Sequence, residues 1–248
     1  MAAFPNRTGR GIRIGIADSG VNPHHPQVRP IASGCGFVWR DGLVDREEDF
    51  TDLLGHGTAV AAAIREKAPE AEVEVLRIFR RRLAAPIEVL AAAIEWAIDR
   101  KLHLLNLSLG LPREQAVGSR MREKCRAAER EGLVILAAAE AGGAPSIPGS
   151  FPEVLGVKSD PALGREEYRV LQQGRRRLFA ASPWARDLSG LSRERNLHGV
   201  SLAVANLSGI AARALEIHGP CRRPDLEEVL SAEAYASQAG DQEGSISR

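Results

Sequence analysis

Ile12-Arg13-Ile14-Gly15-Ile16-Ala17-Asp18-Ser19-Gly20 is an apolar run of strand length that ends abruptly in a carboxylate and a turn. The same texture recurs at residues 73–79, 103–108 and 133–139, each largely apolar and without a strict polar alternation. Such runs suit parallel strands covered on both faces. Helix-like stretches lie between and after them. Residues 56–67 carry an Ala-rich face, 87–100 place apolar residues at 87, 90, 94 and 98, and 112–130 is charged and stops before Gly132. A long apolar helix is predicted over 201–218, closed by Gly219-Pro220, and a short one after Pro224. Residues 165–177 read as an antiparallel excursion. The alternation predicts an α/β three-layer sandwich, a mostly parallel twisted sheet with helices on both faces. One domain is expected over residues 1–237, with the polar, aperiodic 238–248 as a disordered tail.

Bulk properties narrow the function classes. The 248 residues are 44% hydrophobic and 26% charged, with a net charge of +1. No global field points to nucleic acid or to an anionic membrane, and neither is expected as a partner. No stretch reaches the ~20 apolar residues of a membrane span. The N-terminus has no apolar signal segment, and Cys35, Cys125 and Cys221 are odd in number without paired spacing. These features predict a cytoplasmic, reduced protein with neither a disulfide framework nor a zinc site, and the sequence leaves its oligomeric state open. The basic charge is nearly all Arg, with contiguous clusters at Arg80-Arg81-Arg82 and Arg175-Arg176-Arg177. Each cluster reads as a solvated segment or as a contact for an acidic partner.

Functional groups in such sheets gather at the carboxyl ends of strands. Asp18 follows the first strand directly, where a buried carboxylate holds an imidazole in one tautomer and stabilises its protonated form. His56, in Gly55-His56-Gly57-Thr58, opens a helix between glycines that leave the ring open on one side, as a general base needs. Ser201, in Gly199-Val200-Ser201, opens the last long helix. A serine there is often only an N-cap, but the positive end of the helix and the backbone N–H of Ser201 would also face any oxyanion formed on an acyl group.

The order Asp, His, Ser is that of the subtilisin peptidases. Ile16-Ala-Asp18-Ser-Gly20-Val with His25-Pro26, Gly55-His56-Gly57-Thr58-Ala59-Val60-Ala61 and Gly199-Val200-Ser201-Leu202-Ala203 resemble that family's three motifs. Ile94-Glu-Trp-Ala-Ile98, Asn106-Leu-Ser108-Leu109-Gly110, residues 133–139 and Phe151-Pro152-Glu153-Val154-Leu155-Gly156-Val157 are similar to the segments between them. The likeness runs over residues 12–215. It implies a serine endopeptidase acting on a peptide or protein substrate, with no cofactor and with catalytic residues Asp18, His56 and Ser201. It also implies that Ser108, Leu109 and Gly110 pair with the substrate backbone, and that Ala139 and Glu140 lie beside the pocket for the residue before the cut.

The resemblance is broken in four places. Glu140 and Ala141 stand where the family has Gly-Asn, so the side-chain donor of the oxyanion hole is missing, and either a neighbouring loop supplies a substitute or the backbone N–H of Ser201 is left to hold the oxyanion alone. Ala59 replaces a second His, and Ala205-Asn206 replace Pro-His. The calcium loop that interrupts the helix after the catalytic His is absent, and Gln27 replaces the Asp after His-Pro, so no metal site is expected; the acidic stretch 45–52 reads as a solvated loop. No propeptide is visible. These features suggest narrow specificity for an intracellular precursor peptide. A pseudopeptidase that binds without cutting, and a transpeptidase or cyclase resolving the same acyl-enzyme with an amine, are the competing functions. Glu140 is expected to narrow the pocket, to attract Arg or Lys, or to turn to solvent.

Overall fold

The structure, a computed structural model, describes residues 3–109 and 115–244. Its centre is β1 (Arg13–Asp18), flanked by parallel partners β4 (Glu72–Arg77) and β5 (Leu104–Leu107). Beyond β5 lie β6 (Val134–Ala138), β9 (Leu155–Ser159) and β11 (Arg176–Ala181), all parallel, with β10 (Tyr168–Gln173) antiparallel at that edge. Beyond β4 lie β2 (Ser33–Arg40), parallel, and β3 (Leu43–Glu47), antiparallel at the other edge. A separate small hairpin pairs β7 (Glu140–Ala141) with β8 (Ala144–Pro145). The predicted three-layer sandwich is the fold found.

Alternation along buried strands feeds two cores. Ile14 and Ile16 of β1, with Val73 and Val75 of β4, join one cluster, covered by α1 (His56–Lys67), α4 (Val200–His218) and the start of α5 (Arg223–Gly244). Ala17, Leu76, Leu105 and Leu107 join the other, covered by α2 (Ile87–Asp99) and α3 (Gln115–Arg130). Every residue from Ile14 to Asp18 is buried, which is why β1 reads as an unbroken apolar run rather than an alternating one. α4 is long and apolar enough, by length and composition alone, to cross a membrane; here 72% of it is buried as the central helix of the first core.

Three features depart from the sequence reading. The β2–β3 and β7–β8 hairpins were not anticipated, whereas the antiparallel excursion at 165–177 is the β10–β11 pair. The expected boundary at 237 falls inside α5, which continues to Gly244, the last described residue of the stretch read as a disordered tail. Gln238, Ala239, Gln242 and Glu243 favour helix, so a helix already nucleated and anchored by buried Leu226 and Leu230 propagates through them. Gly110 lies outside the described residues.

Where α1 ends, the buried side chain of Arg65 takes over as a tie. Its Nε donates to the carbonyl of Val28 (3.2 Å), Nη1 to those of Pro69 (2.9 Å) and Ala71 (2.7 Å), and Nη2 to that of Pro30. One guanidinium therefore joins two loops to the helix between them. Arg65→Met should lower the unfolding free energy by at least about 3 kcal/mol, because several buried acceptors lose their donor at about 1–3 kcal/mol each. Arg65→Lys should fall between the two, since an ammonium keeps the charge but not the planar fork. Denaturant unfolding checks both; a Met variant as stable as the parent would show that the loops hold without the tie.

Candidate active site

Asp18 ends β1 fully buried, and its Oδ1 lies 2.7 Å from His56 Nδ1 while accepting the Ser19 N–H at 2.7 Å. His56 is the first residue of α1, after Gly55 in the left-handed region at φ +79°. A β-carbon at Gly57 would sit 2.1 Å from the carbonyl oxygen of Gly20, so only glycine lets α1 approach the end of β1 this closely. The imidazole is 14% exposed, with one edge on Asp18 and the ring otherwise at the surface of the site. Burial pulls its pKa down, but the hydrogen bond and charge of Asp18, with the charge of Asp52, outweigh burial and raise it above the usual histidine value.

Asp52 holds this pair in place, a role the sequence reading missed. Its Oδ1 accepts the Ser19 hydroxyl (2.8 Å) and the backbone N–H groups of Leu54 and Gly55 (2.9 Å each). Its Oδ2 accepts both the N–H (2.9 Å) and the hydroxyl (2.7 Å) of Thr58. The Ser19 hydroxyl in turn accepts the Gly57 N–H at 2.9 Å. The acidic stretch 45–52 is thus no simple solvated loop: Asp52 caps the turn into α1, while Glu47 and Asp49 bind the buried guanidinium of Arg77 at 2.9 and 2.6 Å. The available signal was the placement of an Asp four residues before the His and a Thr two after it, a side-chain cap split across the helix start.

Ser201 belongs to a second assembly on the neighbouring strand. Gly199, at φ +142°, turns the chain into α4, and Ser201 lies in the first helical turn, where backbone N–H groups have no acceptor within the helix. The Ser201 hydroxyl donates to the Ser108 carbonyl (3.1 Å), and the Ser108 hydroxyl lies within bonding distance of the Ser201 carbonyl (3.2 Å) and of Asn106 Oδ1 (2.6 Å). Asn106 reaches on to the Ser208 hydroxyl at 3.0 Å, fastening β5 to α4. Ala17 pairs with Leu107 across β1 and β5, so Asp18 and Ser108 stand side by side at the carboxyl edge, on strands about 4.8 Å apart. The structure bonds Asp18 to His56 and Ser201 to Ser108, but not Ser201 to His56; such contacts are often open without substrate.

The residues expected around the substrate divide. The Ser108 side chain is buried against Ser201. Leu109 packs on the second core, and its N–H is turned onto the Leu107 carbonyl at 2.8 Å. Ala139 is buried, donating to the Val157 carbonyl and accepting from the Ser146 N–H. Glu140 forms an ion pair with Lys158 at 2.7 Å, so its charge is matched within the protein. Ala141 is exposed opposite Ala144, with Gly142 and Gly143 between them at φ +58° and +80°, the two-glycine turn of a tight hairpin. Its methyl group donates nothing. Among the described residues, no cluster of His, Cys, Asp and Glu is arranged to hold a metal ion.

These contacts predict the titration of His56. Followed by NMR, its ring should titrate above an ordinary histidine, and Asp52→Asn should move the midpoint down by removing a charge that favours the protonated ring. An unmoved midpoint would mean that Asp52 acts only as a cap.

Residues 9–159 match the model of the subtilase family; Ser201 lies beyond the matched stretch. The chain is similar to the thermostable alkaline protease of Halalkalibacterium halodurans, 27% identical over 225 residues that cover 82% of this chain and 56% of that protein. It is 27% identical to Subtilisin Savinase of Lederbergia lenta over 219 residues, 83% of this chain and 76% of that one. A shorter likeness, 28% over 123 residues, joins it to an intracellular serine protease of Paenibacillus polymyxa, covering 46% of this chain and 37% of that protein. The chain spans little more than half the length of the alkaline protease. With a family match extending over more than half of its residues, this chain belongs to the subtilase family.

Proposed function

We propose that this domain is a serine endopeptidase in which Ser201 is the nucleophile, His56 the general base and then acid, and Asp18 the orienting carboxylate. The 2.7 Å contact between Asp18 and His56 carries the reading. It fixes the proton on Nδ1 and leaves Nε2 free to accept one. Rotation about the Ser201 Cα–Cβ bond would release its hydroxyl from Ser108 towards that nitrogen. Attack on a peptide carbonyl then forms an acyl-enzyme, His56 protonates the departing amine, and water completes hydrolysis. The N–H groups opening α4 face the oxyanion.

Narrow specificity follows from the weakened hole. With Ala141 in place of a donor, the enzyme relies on contacts remote from the cut to position the carbonyl. The ion pair of Glu140 with Lys158 argues against a pocket that selects Arg or Lys. A precursor peptide inside the cell is the substrate class we favour: Cys35, Cys125 and Cys221 are all free thiols, and one relative is named as intracellular. The alanine and the Ser201–Ser108 hydrogen bond also favour a second reading, a pseudopeptidase that holds a peptide without cutting it.

A fluorophosphonate probe separates the two. It should label the parent chain covalently, and Ser201→Ala should abolish labelling while leaving the melting temperature within a few degrees. Absence of labelling in the parent would support the pseudopeptidase. Ala141→Asn should raise turnover on a generic peptide by at least roughly tenfold, with a smaller change in KM. A lost side-chain donor is worth about 10²–10³ in rate, a magnitude known from the subtilisin Asn itself. A folded variant with unchanged turnover would mean that another group already fills the hole.

A further inference from the structure

The loop after β4 carries three exposed arginines, Arg80, Arg81 and Arg82, with no carboxylate partner among the described residues. That sets them apart in a chain whose arginines are mostly engaged. Arg77, just before them, takes Glu47 and Asp49; Arg120 takes Glu88 at the start of α2. Glu47, Asp49 and Glu88 are therefore already committed. The arginines border a cleft of about 620 Å³ whose walls are apolar: Trp39, Leu53, Ile78 and Val89. Trp39 is 40% exposed and Leu53 66%, and Leu83 within the loop is 53% exposed. Large apolar side chains left this open beside uncompensated positive charge mark an interaction surface.

The position of the cleft ties it to the candidate active site. Arg77 pairs with Asp18 across β4 and β1, and the backbone N–H groups of Ile78 and Phe79 both donate to the Asp18 carbonyl. The arginine loop thus leaves the same carboxyl edge that holds His56. Leu53 sits in the turn into α1 that Asp52 caps. Arg80 follows Phe79 directly, so the cleft and the candidate active site are joined through a single strand end.

We propose that this cleft is a docking site for an acidic, leucine-rich segment of the substrate polypeptide, remote from the scissile bond. The inference rests on the peptidase reading above. Apolar side chains of the segment fill the space between Trp39 and Val89, and its carboxylates meet Arg80, Arg81 and Arg82. Each contact is exposed and individually weak, and three together give roughly tenfold in affinity. Such a segment supplies the remote binding that a weak oxyanion hole requires.

The test uses a fluorescein-labelled peptide with alternating Leu and Glu, and its Gln counterpart, titrated by anisotropy against the Ser201→Ala chain so that nothing is cut. The Glu peptide should bind about tenfold more tightly. Both high salt and the triple replacement Arg80→Ser, Arg81→Ser, Arg82→Ser should remove that preference, without lowering the melting temperature or the rate at which the chain with Ser201 intact reacts with a fluorophosphonate. Equal affinity for the two peptides, or a preference that survives the triple replacement, would overturn the docking site. So would tighter binding of a single-stranded oligonucleotide than of the Glu peptide. Failure of the parent chain to label overturns the peptidase reading instead, and leaves the peptide titration to be judged separately.

Discussion

The carboxylate of Asp52 is the constraint on which the site depends. It accepts hydrogen bonds from Ser19 beside Asp18 and from the backbone and side chain around the start of α1. A strand end and a helix start, each with unsatisfied polar groups, are thereby joined through one half-buried anion. The Asp18–His56 distance is a consequence of that junction, since neither residue could hold the other if the turn at 52–55 were free. Ser108 and Asn106 do the same for the other half, joining β5 to α4. Because β1 and β5 are hydrogen-bonded neighbours, two local junctions become one site without any long loop reaching across the sheet.

Much of this was legible in the sequence, for a physical reason. Strands buried on both faces appear as apolar runs, and β1, β4, β5 and β6 lie within a residue or two of where those runs place them. The helix at 56–67 begins and ends as read, because glycine marks its start and proline its exit. β2 and β3 were harder. β3 is mostly exposed and reads Leu-Val-Asp-Arg-Glu, so its composition suggests a solvated loop. The one local sign of the hairpin was Asp41-Gly42, both with positive φ. Asp52 was lost in the same acidic stretch, where residues of identical type do three jobs: bind Arg77, cap a turn, or face water. Only the tertiary contacts separate them.

The hairpin at 140–145 shows how a buried strand can end in a tight turn. The strand before it is buried and in register with β5 and β9, yet its exit is a tight two-glycine turn carrying Glu140 and Ala141. Glu140 is paired with Lys158 of β9, which ties the separate hairpin to the edge of that strand.

Arg65 gives the fold a property of another kind. A guanidinium that gathers carbonyl oxygens from two loops acts as a multivalent cation would, but it is attached to the chain by its own side chain. A bound ion comes from the medium and leaves when the medium is depleted. This one is supplied by translation, one per molecule, and the cross-link it makes is indifferent to the ions of whatever compartment the protein occupies.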